Sequence, residues 1–138
     1  MDTKHLNVYI DGGSRGNPGP SGIGVAIFNG KGVKVKDFYK HIGIATNNIA
    51  EYNAVIYGLQ EALFLKADEI DLFMDSELVA SQLQGDYRVK SADLKPVFEQ
   101  ALHLIQGFKK VKINCIPREQ NKEADKLVNK ALNLAGLF

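Results

Sequence analysis

The feature that most constrains this chain is a change of hydrophobic period just past residue 45. Leu6, Val8 and Ile10 alternate with Asn7, Tyr9 and Asp11, the pattern of a strand with one buried face. Ile23–Phe28 and Val33–Ile42 read as two more strands, joined by the hairpin signal Asn29-Gly30-Lys31-Gly32. Short links make the three an antiparallel meander. From Ile49 onward the apolar spacing becomes 3, 4, 3, 4 through Tyr52, Ile56, Leu59 and Leu63, one stripe on a helix of about five turns.

The remaining segments alternate in type. Ile70, Leu72 and Met74 form a short strand ending at Asp75, and Leu78–Leu83 a short helix that Gly85-Asp86 breaks. Leu94–Phe108 reads as a helix, with Lys95-Pro96 in the first turn, where proline is tolerated. Val111–Ile116 is a fifth strand. From Asn121, the residues Ala124, Leu127, Val128, Ala131 and Ala135 make the stripe of a final helix. The expected order is βββ-α-β-α-α-β-α. This is an α/β fold with a mixed five-stranded sheet, three antiparallel strands and then parallel additions, flanked by helices. A length of 138 residues suits a single domain, 1–138.

Charge decides what kind of partner to expect. The net charge is +1, so no bulk field advertises nucleic acid or membrane, and a polyanion would have to be held by local patches. The longest apolar-or-glycine stretch, Gly22–Phe28, is far short of the roughly 18 residues a membrane span needs. No leader-like apolar region follows Met1-Asp2-Thr3-Lys4-His5, so a cytoplasmic location is expected. Cys115 has no partner for an internal disulfide, and the alternation Val111-Lys112-Ile113-Asn114-Cys115 marks it as a small core side chain.

Four acids stand at element ends or first turns: Asp11, Glu51, Asp75 and Asp125. Each has a structural explanation. Asp11-Gly12 suits a turn, Asn48-Ile49-Ala50-Glu51 a capping box, Asp75 an N-cap, and Asp125 a favourable place on the helix dipole. At about 100° per residue, however, Glu51 and Asp125 fall roughly 110° and 100° from the centres of their stripes, on flanks that border the core. Carboxylates converging there would repel unless a cation neutralised them. An all-oxygen set without His or Cys suits Mg²⁺ or Mn²⁺ rather than Zn²⁺.

Four motifs bear on this question. Asp11-Gly12-Gly13-Ser14-Arg15-Gly16-Asn17-Pro18-Gly19 resembles the first-strand signature of ribonuclease H type 1. Thr46-Asn47-Asn48-Ile49-Ala50-Glu51 resembles that family's TNNxxE helix start, Asp75-Ser76 its strand-ending DS, and Arg118–Asp125 its last motif in the form RExNxxAD. The four occur in the family's order from about Leu6 to Ala135, and the short Pro117-Arg118 version is most similar to the compact, reverse-transcriptase-like branch. The glycine-rich loop is neither a P-loop nor a dinucleotide fingerprint, and on composition alone it is a hairpin loop.

The resemblance implies endonucleolytic hydrolysis of the RNA strand of RNA–DNA hybrids by a two-metal mechanism, leaving 5′-phosphate and 3′-hydroxyl ends. It implies two Mg²⁺ ions, replaceable by Mn²⁺, on Asp11, Glu51, Asp75 and Asp125, with Asp11 bridging and Glu51 placed to sense a 2′-hydroxyl. Gly12, Gly13, Ser14, Arg15, Gly16, Asn17, Thr46, Asn47, Asn48 and Ser76 would meet the substrate. The best-known bacterial form has a histidine in a loop before the last acid. Here His5, His41 and His103 lie elsewhere, and Arg118 is the candidate that orients phosphate or stabilises the leaving group. A basic protrusion is absent or minimal: residues 84–97 hold Arg88, Lys90 and Lys95 against Asp86 and Asp93. A monomer is expected, with double-stranded RNA left open as a second substrate. A non-catalytic nucleic-acid-binding module and a different nuclease of the same superfamily also remain open.

Overall fold

A computed structural model describes residues 3–135. Its elements are β1 (His5–Ser14), β2 (Gly19–Asn29), β3 (Lys34–Ala45), α1 (Asn47–Phe64), β4 (Glu69–Met74), α2 (Glu77–Gln84), α3 (Lys95–Ile105), β5 (Lys110–Cys115) and α4 (Lys122–Ala135), with one 3₁₀ turn at Arg118–Gln120. The expected order holds. The sheet runs β3-β2-β1-β4-β5, antiparallel across β1–β2–β3 and parallel where β4 joins β1 and β5 joins β4.

Alternation explains which face is dry. Leu6, Val8 and Ile10 of β1 and Ile70, Leu72 and Met74 of β4 are all at most 2% exposed, and they share one buried core with α1. This helix is buried more widely than its stripe, at Ala54, Val55, Gly58 and Ala62 as well as Tyr52, Ile56 and Leu59, because α3 packs on its outer side. The Tyr52 hydroxyl donates to Gln82 Oε1 at 2.6 Å, which satisfies both buried polar groups. On the opposite face α4 lies over β2, with Ala124, Leu127, Val128 and Ala131 buried; the Ala135 side chain falls outside the described residues.

Two close approaches set the helices' heights. A Cβ on Gly12 would come within 2.2 Å of the Ala50 carbonyl, and one on Gly24 within 2.5 Å of the Ala124 carbonyl. Glycine at these places therefore draws α1 and α4 onto the sheet from its two sides.

Four expectations need correction. The glycine-rich segment is mostly strand: β1 continues past Asp11 to Ser14, paired to Ser21–Ile23, and only residues 15–18 turn, with Asn17-Pro18 cis. Its first glycine, Gly12, serves close packing against α1. Thr46, not Asn48 with Glu51, caps α1, accepting from the Ile49 amide at 3.2 Å. Ser76, not Asp75, caps α2, accepting from Val79 N. Cys115 is exposed rather than core. It ends the edge strand on the same face as Val111 and Ile113 but beyond full helix cover. Partial burial, then the charges of Glu77, Asp75 and Glu51, push its thiol up, away from the reactive thiolate. No helix among the described residues is long and apolar enough to cross a membrane.

Candidate active site

The register of β1 against β4 brings the first two acids together. The parallel pair runs in step from His5↔Glu69 to Tyr9↔Phe73; two residues further, Asp11 and Asp75 stand side by side where β4 has ended. Gly12 lets α1 approach closely enough to add Glu51. Oxygen atoms of Asp11, Glu51 and Asp75 all lie within 4.8 Å of one another. Asp125, on the first turn of α4, stands outside that cluster but lines the same cavity of about 330 Å³.

These charges are poorly compensated. Burial first, then the charges of Asp75, Asp125 and Glu51, push Asp11 up to about 8, although the Gly12 amide donates to it at 3.0 Å. Burial likewise pushes Glu51 up to about 7, with Asp75 adding to the rise and a hydrogen bond from the Ser76 hydroxyl opposing it. Asp11 feels all three other carboxylates, which makes it the electrostatic centre of the group. Among the described residues, Arg118 is the one cation in an ion pair with a site carboxylate: its Nη2 is 3.6 Å from Asp125 Oδ1, on a side chain 79% exposed. The donor set fits a hard divalent cation. It is all oxygen, half-buried, closely spaced, and short of positive charge.

The other expected site residues divide. Gly12, Gly13, Ser14, Arg15 and Asn47 line the carboxylate cavity. The Asn47 amide oxygen accepts from Ser14 N at 3.1 Å, and the Asn17 amide oxygen accepts from Asn47 N at 2.9 Å. Both oxygens are thus used internally, and the amide nitrogens are left as donors on an exposed ridge. The Thr46 hydroxyl and Ser76 hydroxyl each cap a helix. The Arg15 guanidinium turns to the end of α4, bonding Leu132 O and Asn133 Oδ1. Gly16, at φ +84°, shapes the turn, and Asn48, in the first turn of α1, is not part of the cavity lining.

No histidine lines the cavity. His5 sits at the far end of β1, 2.9 Å from Asp71, while His41 belongs to β3 and His103 to α3. Sequence reasoning missed Asn129 and Val128, which also line it; Asn129 follows Asp125 by four residues, so helical spacing contained that signal. It also passed over Asn121, whose role depends on partners far away in the chain.

The chain as a whole is similar to known proteins. The model of the reverse transcriptase-like family matches residues 9–131. A bifunctional protein of Mycobacterium tuberculosis is 43% identical over 93% of this chain and 35% of its own length. The structure of its N-terminal RNase H domain superposes with a TM-score of 0.94, covering 98% of each chain at 38% identity. Ribonuclease HI of Halobacterium salinarum is 41% identical over 93% of this chain and 64% of its own length. LC11 ribonuclease H1, solved in complex with an RNA/DNA hybrid, is 42% identical, with a TM-score of 0.89 over 94% of this chain and 98% of that one. The chain thus spans about a third of the mycobacterial relative and under two thirds of the haloarchaeal one.

Proposed function

We propose that this chain, which belongs to the reverse transcriptase-like family of ribonuclease H domains, is a metal-dependent endonuclease that hydrolyses the RNA strand of RNA–DNA hybrids. The observation that carries the proposal is the cluster of Asp11, Glu51 and Asp75 oxygens within 4.8 Å, with Asp125 in the same cavity and too little positive charge to balance them. Two Mg²⁺ ions, or Mn²⁺ in their place, would activate a water and stabilise the departing 3′-oxygen, so that 5′-phosphate and 3′-hydroxyl ends result.

Each residue then has a part. Asp11, whose carboxyl feels all three other acids, would hold the ions together with Glu51, Asp75 and Asp125. Ser76 steadies Glu51, the acid placed to meet a 2′-hydroxyl. Arg118 is exposed and, among the described residues, its guanidinium is tethered by Asp125 alone, so it can turn to a phosphate and complement charge at the leaving group. Asn17, Asn47, Thr46 and Asn48 form an uncharged ridge at the start of α1 that suits sugar–phosphate contact, with Gly13, Ser14, Arg15 and Gly16 as its floor. The domain is proposed to act as a monomer in the cytoplasm, where the lone free cysteine suits a reducing compartment.

A cleavage assay tests this. Labelled RNA–DNA hybrid, double-stranded RNA, single-stranded RNA and double-stranded DNA are incubated with Mg²⁺, Mn²⁺ or EDTA. The expected result is internal cleavage of the hybrid's RNA strand, abolished by EDTA. An intact hybrid, or cleavage that survives EDTA, overturns the proposal; cleavage of double-stranded RNA would widen the substrate class.

A further inference from the structure

Asn121 joins the 3₁₀ turn to α4 and is 1% exposed. At the residue before a helix, an asparagine ordinarily turns its side-chain oxygen onto the free N–H groups of the first turn. Here it does not. Its Nδ2 donates to the Ile10 carbonyl at 2.9 Å and to Asp75 Oδ2 at 3.1 Å. Its buried Oδ1 has no partner among the described residues. Reversing the amide would set that oxygen against a carbonyl and a carboxylate, both acceptors, so only this orientation is stable.

The residue type therefore answers the carboxylate rather than the helix. Serine or aspartate would cap α4 as well as asparagine does, but aspartate has no donor when ionised and serine has only one. Asn121 presents two donors from one nitrogen and links three parts of the chain that carry acids: Ile10 precedes Asp11, Asp75 follows β4, and Asp125 lies on α4. Its backbone carbonyl accepts from Asp125 N at 3.1 Å.

We propose that Asn121 is a positioning residue for cation binding: its amide holds one oxygen of Asp75 against the end of β1, leaving the other to face Asp11 and a divalent ion. This rests on the reading that the carboxylates hold metal. Partners of this kind, one step out from a metal, typically change its affinity by roughly 10- to 100-fold when removed.

The test is Mn²⁺ binding to the full chain without nucleic acid, by calorimetry, at a temperature where circular dichroism shows each variant folded. Asn121→Ala should bind Mn²⁺ at least about tenfold more weakly than the parent, and its kcat should fall while hybrid affinity in EDTA stays unchanged. Gln120→Ala, an exposed neighbour, should match the parent. Mn²⁺ affinity of Asn121→Ala within twofold of the parent overturns the proposal. A parent that binds no Mn²⁺ overturns the metal reading itself, and this inference with it. Should Asn121→Ala not fold, the parent answers alone: the Asn121 side-chain amide resonances should shift in step with added Mg²⁺, and unmoved resonances overturn the proposal.

Discussion

Strands β1 and β4 pass through two regions that differ in how completely the chain satisfies itself. In the core shared with α1, Leu6, Val8, Ile10, Ile70, Leu72 and Met74 are at most 2% exposed, and the buried Tyr52 and Gln82 satisfy each other. At the end of the same strands, three carboxylates crowd within 4.8 Å, burial and mutual repulsion raise Asp11 to about 8, and Asn121 Oδ1 is buried without a partner among the described residues. The first region is complete as it stands. On the proposed reading, a bound cation completes the second. The same residue, Gly12, couples them, because the close approach that packs α1 also delivers Glu51.

Breaking that coupling should give the largest effect. Gly12→Ala puts a methyl 2.2 Å from a backbone carbonyl that cannot move without α1; the chain should fail to fold or lose about 4 kcal/mol or more in chemical denaturation. Asp75→Asn attacks the second region alone. It keeps volume while removing a ligand charge, so folding and hybrid binding should persist while hydrolysis falls by more than tenfold where chemistry limits the rate. Retention of more than about a tenth of the activity would remove Asp75 from the site. The smallest effect should come from replacing His5, His41 and His103 together. None lines the cavity, so the metal-dependent rate should stay within a few-fold, and a loss of about 10² would expose a misplaced base.

Much of this was legible in the sequence. Period-two and period-3.6 spacing identified every strand and α-helix in order, and the four acids singled out in the sequence line one cavity. What escaped depended on distant partners. Glycines at 12 and 13 look the same in a turn and in a strand that a helix presses, and only the Ala50 carbonyl distinguishes them at Gly12. Alternation assigned Cys115 a face but not whether anything covers the end of β5. Which residue caps α1 or α2 turns on one hydroxyl's direction, and spacing does not contain it. Asn121 lies inside the last motif, yet its partners Ile10 and Asp75 lie 111 and 46 residues away.

The claim that the carboxylate end is incomplete without a cation is tested most directly by thermal melting across pH with and without metal. Asp11 and Glu51 are raised, to about 8 and about 7, so the folded state holds protons that the unfolded chain releases near pH 4. Their favourable contribution is present in full below that range and is lost as pH climbs toward about 8. In EDTA, the melting temperature should therefore fall between about pH 5 and pH 8.5. Saturating Mg²⁺ should remove most of the fall, since the cation binds the deprotonated acids. Asp11→Asn should be more stable than the parent in EDTA at pH 8, by about 1–3 kcal/mol because solvent reaches the site and screens the repulsion, and should respond little to Mg²⁺. An equal pH dependence with and without Mg²⁺, together with an Asp11→Asn variant no more stable than the parent, would contradict the account.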